Sequence, residues 1–261
     1  PTLLGHHYHH FDGAMNVLRW KLFYELLVKG SCEVTYPTDF TRREGIRISP
    51  WLKSCSHVVR YHFPVHRVSP REKTEAKERL GFENDALVVG NAGWLIQRKR
   101  WDVFLETAKR VSSKCARARF VVCGGGPLEE TLKTKAADLG VASVVRFTGW
   151  RDNLVDYYKA FDILLFNSDF DALGRTPGEA MGYGAIPVAS VAYGGLAELV
   201  EHKRNGFLIS SHDADLLAGY VMQLVESASL REDFSAAGKQ MLEQRYSAEA
   251  ATGFYRDRFG C

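Results

Sequence analysis

Residues 162–191 read DILLFNSDFDALGRTPGEAMGYGAIPVASV, and this stretch carries the clearest signal of the architecture. Two apolar runs, over residues 163–166 and 186–191, flank a segment that suits a helix, Thr176–Tyr183. Continuous apolar runs of this length are typical of strands that a parallel sheet buries on both faces. The stretch therefore predicts a strand, a helix and a second strand, with Asp171 in the loop after the first strand.

The same alternation continues on both sides of this stretch. Further apolar runs predict strands over residues 86–95, 119–123, 144–148 and 206–210, with helices between them. Six strands that alternate with helices predict an α/β fold, a Rossmann-like doubly wound parallel sheet. Such sheets bind ligands outside the carboxyl ends of their strands, so we expect the functional residues in the loops that follow the strands.

Residues 1–80 have a different pattern and predict only a partial α/β segment. The strands that it indicates are 2–7, 33–36 and 57–61. Met15–Lys29 is an apolar helix, and Pro64–Glu75 is a linker that contains proline and charged residues. Three strands are few for an independent domain. The apolar helix indicates either packing in a core or contact with an anionic membrane surface.

The composition of the 261 residues is that of a globular protein, with 46% hydrophobic and 25% charged residues. We find no apolar run of about eighteen residues or more, so no membrane-spanning helix is predicted. The net charge of +3 is too small to indicate a nucleic-acid partner, although residues 1–80 hold 13 basic and only 8 acidic side chains. That excess indicates either an anionic partner surface or a solvated basic face.

The cysteines support neither a zinc site nor a disulfide framework, because the five are widely spaced and no C-x-x-C occurs. A reducing cytoplasm is therefore the expected compartment, with peripheral membrane contact as an addition. A histidine cluster at His6, His7, His9 and His10 is a weak candidate for metal binding, since its side chains would alternate between two faces of a strand. The start at Pro1 suggests a fragment or a processed product.

The densest set of candidate functional residues lies in the quoted stretch. Asp171 and Glu179 are eight positions apart, and Gly174 would let a ligand approach the backbone closely. Thr176 is a candidate N-cap, and the free backbone N–H groups of a helix start bind anions. Carboxylates beside such a start suit recognition of sugar or ribose hydroxyls, although a solvent-facing acidic loop has the same pattern.

Two loops after other strands are further candidates. Arg98, Lys99 and Arg100 could hold a diphosphate, or they could form a solvated charged face. Gly124-Gly125-Gly126-Pro127 matches neither G-x-G-x-x-G nor a P-loop, so the sequence does not support dinucleotide binding. This turn either admits a ligand or only reverses the chain.

In their order along the chain, these motifs resemble the donor-binding domain of retaining GT-B glycosyltransferases of family 4, the group 1 glycosyl transferases. The resemblance covers residues 86–210 and continues more weakly to the end of the chain. The matching positions are Lys99 after the first strand, Gly124, Gly126 and Pro127 of a G-x-G-P turn, Gly149 of a base-lining loop, Asp171 and Glu179 of an E-x7-E motif, and Gly194, Gly195 and Glu198 of a G-G-x-x-E segment.

The resemblance implies transfer of a sugar from a nucleotide-diphosphate sugar, with retention at the anomeric carbon, to a sugar or lipid acceptor. As catalytic residues, it implies that Lys99 contacts the diphosphate, Glu179 the ribose hydroxyls and Asp171 the transferred sugar. No metal or other cofactor is expected, because protein cations would hold the phosphates. The remaining donor-binding candidates are Arg98, Arg100, Gly124, Gly126, Pro127, Gly149, Gly174, Arg175, Thr176, Gly194 and Gly195.

Two positions depart from the family pattern. Asp171 is one methylene shorter than the family's glutamate, and Trp94 stands where the family has an arginine. Arg98 or Arg100 would have to supply that missing charge.

The resemblance also predicts how the chain is divided. Residues 1–80 are expected to be the last part of an acceptor-side domain with a linker, residues 81–246 the donor domain, and residues 247–261 a helix that crosses back. The acceptor-side part predicts membrane contact or self-association. Two other functions stay open: a donor-binding fragment or subunit that is inactive without a complete amino-terminal domain, and an unrelated Rossmann-like protein such as a sugar epimerase.

Overall fold

The computed structural model describes residues 2–5, 14–28 and 32–259, which form a smaller and a larger parallel sheet. The smaller sheet consists of β1 (Thr2–Gly5), β2 (Cys32–Tyr36) and β3 (Ser56–Val58), in that order. The predicted strands of the amino-terminal segment therefore exist, with β1 and β3 shorter than predicted and β2 one residue longer. The histidine cluster at residues 6–10 lies outside the described residues.

Two helices and two shorter turns accompany the smaller sheet. They are α1 (Ala14–Phe23), a π-helical turn Tyr24–Val28, α2 (Asp39–Ile48) and a 3-10 turn Pro50–Ser54. Their small core contains Tyr24, Val34, Tyr36, Ile48 and Leu52. Helix α2 is absent from the sequence prediction, which gave no helix between the strands at 33–36 and 57–61.

The larger sheet has six strands, as predicted. They are β4 (Leu87–Ala92), β5 (Ala118–Cys123), β6 (Val145–Phe147), β7 (Ile163–Asp171), β8 (Ile186–Gly194) and β9 (Phe207–Ile209). All neighbouring pairs are parallel, in the order β6-β5-β4-β7-β8-β9. The chain moves outward from β4 in one direction and returns at β7 to move in the other. The boundary between β4 and β7 is thus the switch point at which such sheets bind ligands.

Helices cover both faces of this sheet, as a doubly wound fold requires. They are α3 (Pro70–Arg79), α4 (Trp101–Ser112), α5 (Glu129–Asp138), α6 (Val155–Ala160), α7 (Arg175–Gly182), α8 (Ala214–Glu226), α9 (Ala228–Arg245) and α10 (Ala248–Phe259). Residues of α4 and α8 enter one hydrophobic core, and residues of α6 and α7 enter the other. Cys123 is buried at the sheet, and burial raises the pKa of its thiol to about 12, so it packs rather than reacts.

The structure corrects three details of the sequence prediction. Helix α3 begins at Pro70, inside the predicted linker, because Ser69 and Glu72 form a capping box with contacts of 3.2 and 2.9 Å. Strand β7 continues to Asp171, which the sequence assigned to a loop. Thr176 does not cap α7, since the N-cap position is Gly174.

The end of the chain returns to the smaller sheet. The ring of Phe254 on α10 lies 4.8 Å from the ring of His57 on β3, and Arg258 pairs with Glu33 on β2. In the part of the chain that the structure describes, no helix combines the length and the apolar character that crossing a membrane requires.

Candidate functional site

An ion pair stands at the switch point of the larger sheet. The Nζ atom of Lys99 lies 2.6 Å from the Oδ2 atom of Asp171, the last residue of β7. Lys99 also lies over the ring of Phe166, 4.7 Å from its centroid. Arg98 contacts the same carboxylate more loosely, at 3.8 Å, and donates to the carbonyl of Phe170. Two cations therefore share one carboxylate, which leaves the group with one excess positive charge.

Arg100 points away from this pair. Its backbone is left-handed, with φ 44°, and it occupies the N-cap position of α4. Its guanidinium lies 3.0 Å from Asp102 and 3.3 Å from Asp169. Of the three consecutive cations in the sequence, the structure brings Arg98 and Lys99 together at Asp171 and engages Arg100 elsewhere.

The glycine turn after β5 lies against the neighbouring loops. Gly124 donates to the carbonyl of Gly149 at 3.0 Å, and both Gly124 and Gly126 have positive φ, 152° and 155°. A Cβ on Gly124 would lie 1.9 Å from the carbonyl oxygen of Gly93, so no other residue fits there. Pro127 follows in the same turn, ahead of α5. The loops after β4, β5 and β6 are thus held together at the carboxyl edge of the sheet.

Helix α7 presents its first turn to the same edge. Gly174 at the N-cap has φ 85°, and no side chain caps this helix. Thr176 instead donates its hydroxyl to the carbonyl of Ala92, the last residue of β4, at 3.0 Å. This bond corrects the predicted capping role and ties the start of α7 to the switch point. The uncapped first turn leaves backbone N–H groups that suit an anion.

Glu179 occupies one side of this helix. Its carboxylate accepts a hydrogen bond from the Tyr158 hydroxyl at 2.8 Å and one from Arg175 at 3.1 Å. Burial, and secondly the neighbouring carboxylate, raise the pKa of Tyr158 well above its usual value, so the phenol remains a donor. The side chain of Glu179 is still 32% exposed, so its oxygens are accessible to a ligand hydroxyl.

The G-G-x-x-E segment divides between two places. Gly194 pairs with Asp171 across β7 and β8, and the N–H of Gly195 donates to the carbonyl of Asp171 at 3.0 Å. Glu198 instead accepts from the backbone N–H groups of Asp39 and Phe40, at 3.0 and 2.8 Å, in the first turn of α2. The glycines therefore lie at the ion pair, whereas the glutamate contacts the segment around the smaller sheet.

More contacts surround Glu198. Arg60 lies 3.6 Å from its carboxylate and 3.0 Å from that of Asp39. The Thr38 hydroxyl donates to the carbonyl of Ala172 at 3.2 Å, and the ring of Phe40 packs on Tyr193 with 4.7 Å between centroids. The sequence did not indicate Thr38, Phe40 or Arg60 as site residues, because none of them belongs to a recognisable motif.

A chain of polar contacts runs from buried Asn167 and Ser190 through His212 to the exposed Asp169, and it too was missed. His212 contacts Ser190 through Nδ1 at 2.8 Å and Asp169 through Nε2 at 3.0 Å. Ser190 also donates to Asn167 at 2.8 Å. Burial, and then Arg100, lower the pKa of His212. The consecutive polar residues Asn167, Ser168 and Asp169 near the end of β7 were the available signal.

Two exposed aromatic side chains lie in the loops at this edge of the sheet. Trp94 after β4 and Trp150 after β6 are each 62% exposed. Among the residues that the structure describes, no three His, Cys, Asp or Glu side chains stand close enough together to hold a metal ion.

Comparison with known proteins places this arrangement in a family. The family model described as Glycosyl transferases group 1 matches residues 72–241. The lipopolysaccharide core biosynthesis glycosyltransferase LpsD of Rhizobium meliloti is 31% identical over 184 residues, which cover 70% of this chain and 52% of LpsD. The D-inositol 3-phosphate glycosyltransferase of Thermobispora bispora is 30% identical over 215 residues, which cover 73% and 50%. The chain spans about half the length of these curated relatives.

Solved structures share the fold. HepE of Anabaena, in complex with UDP and glucose, superposes with a TM-score of 0.85 at 20% identity, over 99% of this chain and 72% of HepE. The C-terminal domain of LpcC, a glycosyl transferase group 1 family protein of Francisella tularensis, gives a TM-score of 0.62 at 19% identity, over 71% of this chain and 96% of that domain. The α/β fold is that of GT-B glycosyltransferases, and the chain belongs to the family of group 1 glycosyl transferases.

Proposed function

We propose that the chain binds a nucleotide-diphosphate sugar at the switch point and belongs to a retaining glycosyltransferase. The observation that carries the proposal is the group formed by Arg98, Lys99 and Asp171 at the carboxyl ends of β4 and β7. Its excess positive charge suits a diphosphate, and its carboxylate suits a sugar hydroxyl. The E-x7-E spacing of Asp171 and Glu179 supports the same assignment.

Different residues around this group contact different parts of the donor molecule. Lys99, Arg98 and the uncapped first turn of α7 stabilise the charge that develops on the diphosphate as the sugar leaves. Glu179, oriented by Tyr158 and Arg175, accepts from the ribose hydroxyls. Gly149, with no other atom within 4 Å of the position that a Cβ would take, leaves room for the nucleotide beside the sheet.

Several finer properties are part of the proposal. Family 4 membership and retention rest on the motif resemblance, and the diphosphate itself would take the acceptor proton on the same face. Protein cations would hold the phosphates without a metal. The acceptor would be a sugar or a lipid, the compartment the cytoplasm, with contact at a membrane surface.

Titration calorimetry with UDP, GDP and ADP, without added metal, tests the donor site. We expect micromolar binding of one nucleotide, with UDP the first candidate because UDP is bound in HepE. Glu179→Gln should weaken that binding about tenfold, since the neutral amide accepts ribose hydroxyls less strongly. Glu226→Gln, an exposed change at the end of α8, is the matched control. Failure of all three nucleotides to bind would contradict the proposal.

We also propose that α1 and the π-helical turn after it carry an association surface. Met15, Leu18, Leu22 and Leu26 follow each other at helical spacing and are 72%, 51%, 47% and 74% exposed. An exposed apolar stripe of this kind marks a contact with a protein or a membrane. We expect light scattering to show oligomers, or flotation to show binding to anionic vesicles, and a Leu18→Glu and Leu22→Glu double variant to lose both. A monodisperse monomer that does not bind vesicles would contradict the proposed association surface.

A further inference from the structure

A cavity of about 720 Å³ lies at the edge of the larger sheet opposite the candidate donor site. It is bounded by α3, α9 and the residues before β7 and β8, among them Asp162 and Gly184. Strand β7 runs from Ile163 to Asp171, so eight steps of about 3.3 Å, roughly 26 Å, separate the two edges. This region, which we call the lysine cavity, is therefore separate from the donor site.

The charged side chains of the lysine cavity do not balance. Four are cationic and two are acidic: Lys73, Lys77, Arg231 and Lys239 against Asp162 and Glu232. The carboxylate of Asp162 already has three partners. It lies 2.8 Å from the ammonium of Lys73 and 2.9 Å from that of Lys77, and it accepts a hydrogen bond from the N–H of Val88 at 2.9 Å. Two lysines thus share one carboxylate, and the cavity keeps an excess of positive charge.

Lys239 is a cation of the cavity that these ion pairs do not include. It is half-buried on α9, and within residues 32–259 no carboxylate comes within ion-pair distance of its ammonium. Burial lowers the pKa of Lys239, Lys73 lowers it further, and Glu243 on the same helix acts weakly in the opposite direction. A half-buried ammonium without a counter-ion is costly, and an anion beside it would offset that cost.

Two groups that can bind an anion stand beside Gly184 in the wall of the cavity. Gly184 has φ 93°, a conformation that side chains rarely adopt, so no side chain from this position separates them from the cavity. The position that a Cβ would take on Gly184 lies 3.0 Å from the Ser235 hydroxyl and 3.5 Å from the ammonium of Lys239. A hydroxyl donor and a cation on α9 therefore lie close together at the cavity.

We propose that the lysine cavity binds a small molecule through a phosphate group held by Lys239, Lys73 and the Ser235 hydroxyl. A phosphate offers several acceptor oxygens, which match an ammonium and a hydroxyl on adjacent turns of one helix. The volume exceeds that of a bare phosphate, and the carboxylate of Glu232 at the cavity suits hydroxyl groups on the rest of the molecule. A phosphorylated sugar has both features.

Calorimetric titration of the full chain in a phosphate-free buffer tests this proposal. The probes are inorganic phosphate, a hexose phosphate, and phosphatidylcholine vesicles with and without phosphatidic acid. We expect millimolar or tighter binding of at least one phosphate probe, weakened about tenfold or more in Lys239→Met, which keeps most of the aliphatic stem. Lys109→Met, an exposed change on α4, should bind the probe like the unmodified chain, and Lys99→Ala should retain the binding that Lys239→Met loses.

The comparison of probes identifies the kind of molecule that carries the phosphate, and it can also contradict the proposed site. Tighter binding of the hexose phosphate assigns a soluble metabolite, and binding to phosphatidic acid vesicles that Lys239→Met loses assigns a lipid headgroup. Lack of binding by every probe, or equal binding by Lys239→Met and the unmodified chain, overturns the proposal. Binding that Lys99→Ala abolishes also overturns it, since the phosphate would then occupy the donor site. Thermal melts of all three variants exclude unfolding as the cause.

Discussion

Lys99→Ala is expected to weaken nucleotide-diphosphate binding about 100-fold, which corresponds to about 3 kcal/mol. Two effects act in the same direction. The variant removes the cation proposed to contact the phosphates, and it leaves the carboxylate of Asp171, which is 14% exposed, without its partner at 2.6 Å. A released carboxylate repels the diphosphate, so the loss exceeds that of one charged hydrogen bond.

A double-mutant cycle separates these two effects by calorimetry. Asp171→Asn alone removes the repulsion and should leave nucleotide affinity unchanged or higher, while Lys99→Ala with Asp171→Asn should recover part of the loss. Lys109→Ala, on the exposed face of α4, controls for a change in net charge. Equal affinities of Lys99→Ala and the unmodified chain would show that the ion pair is a structural contact only.

The larger sheet could be predicted from the sequence, because the signal for each strand lies within that strand. Runs such as the one over residues 163–166 are buried on both faces, so their side chains alone indicate a central parallel strand. The loops after such strands could be placed without knowing any contact. Lys99 and the glycine turn were found in this way.

Other elements were missed because their signals were weaker or not local. Helix α3 had a capping box at Ser69 and Glu72, but Pro70 and the charged residues favoured a linker. Helix α2 reads DFTRREGIRI, with few apolar residues, and its cap uses Thr38 and Thr41 rather than a glutamate. The extension of β7 to Asp171 depends on pairing with β8, since Ser168 and Asp169 are polar and give no apolar run.

The role of Glu198 illustrates the limit of a motif. The sequence places it in a segment that resembles a donor-binding motif, yet its carboxylate accepts from two backbone N–H groups about 160 positions earlier in the chain. No local pattern at residues 38–40 indicates that a distant carboxylate meets the start of α2. Only the fold brings these groups together.

Glu198→Ala is therefore expected to destabilise the part around the smaller sheet by about 2 kcal/mol. The variant removes a carboxylate that accepts two backbone N–H groups at a helix start, and Arg60 loses one of its two acidic partners. In urea denaturation we expect the unfolding of α2 and its sheet to shift to lower denaturant, with the larger sheet nearly unaffected. Glu198→Gln, which keeps one acceptor oxygen, should show about half the effect.

Nucleotide affinity distinguishes this role from the one that the motif implies. Because Glu198 contacts α2 rather than the Lys99–Asp171 pair, Glu198→Ala should change the dissociation constant of the bound nucleotide less than threefold. Asp39→Asn, which removes only the half-exposed partner of Arg60, should leave both stability and affinity almost unchanged. A loss of affinity comparable with that of Lys99→Ala, without loss of stability, would instead make Glu198 a donor ligand. Urea denaturation and nucleotide affinity of Glu198→Ala together decide whether this glutamate binds the donor or stabilises the contact between α2 and the larger sheet.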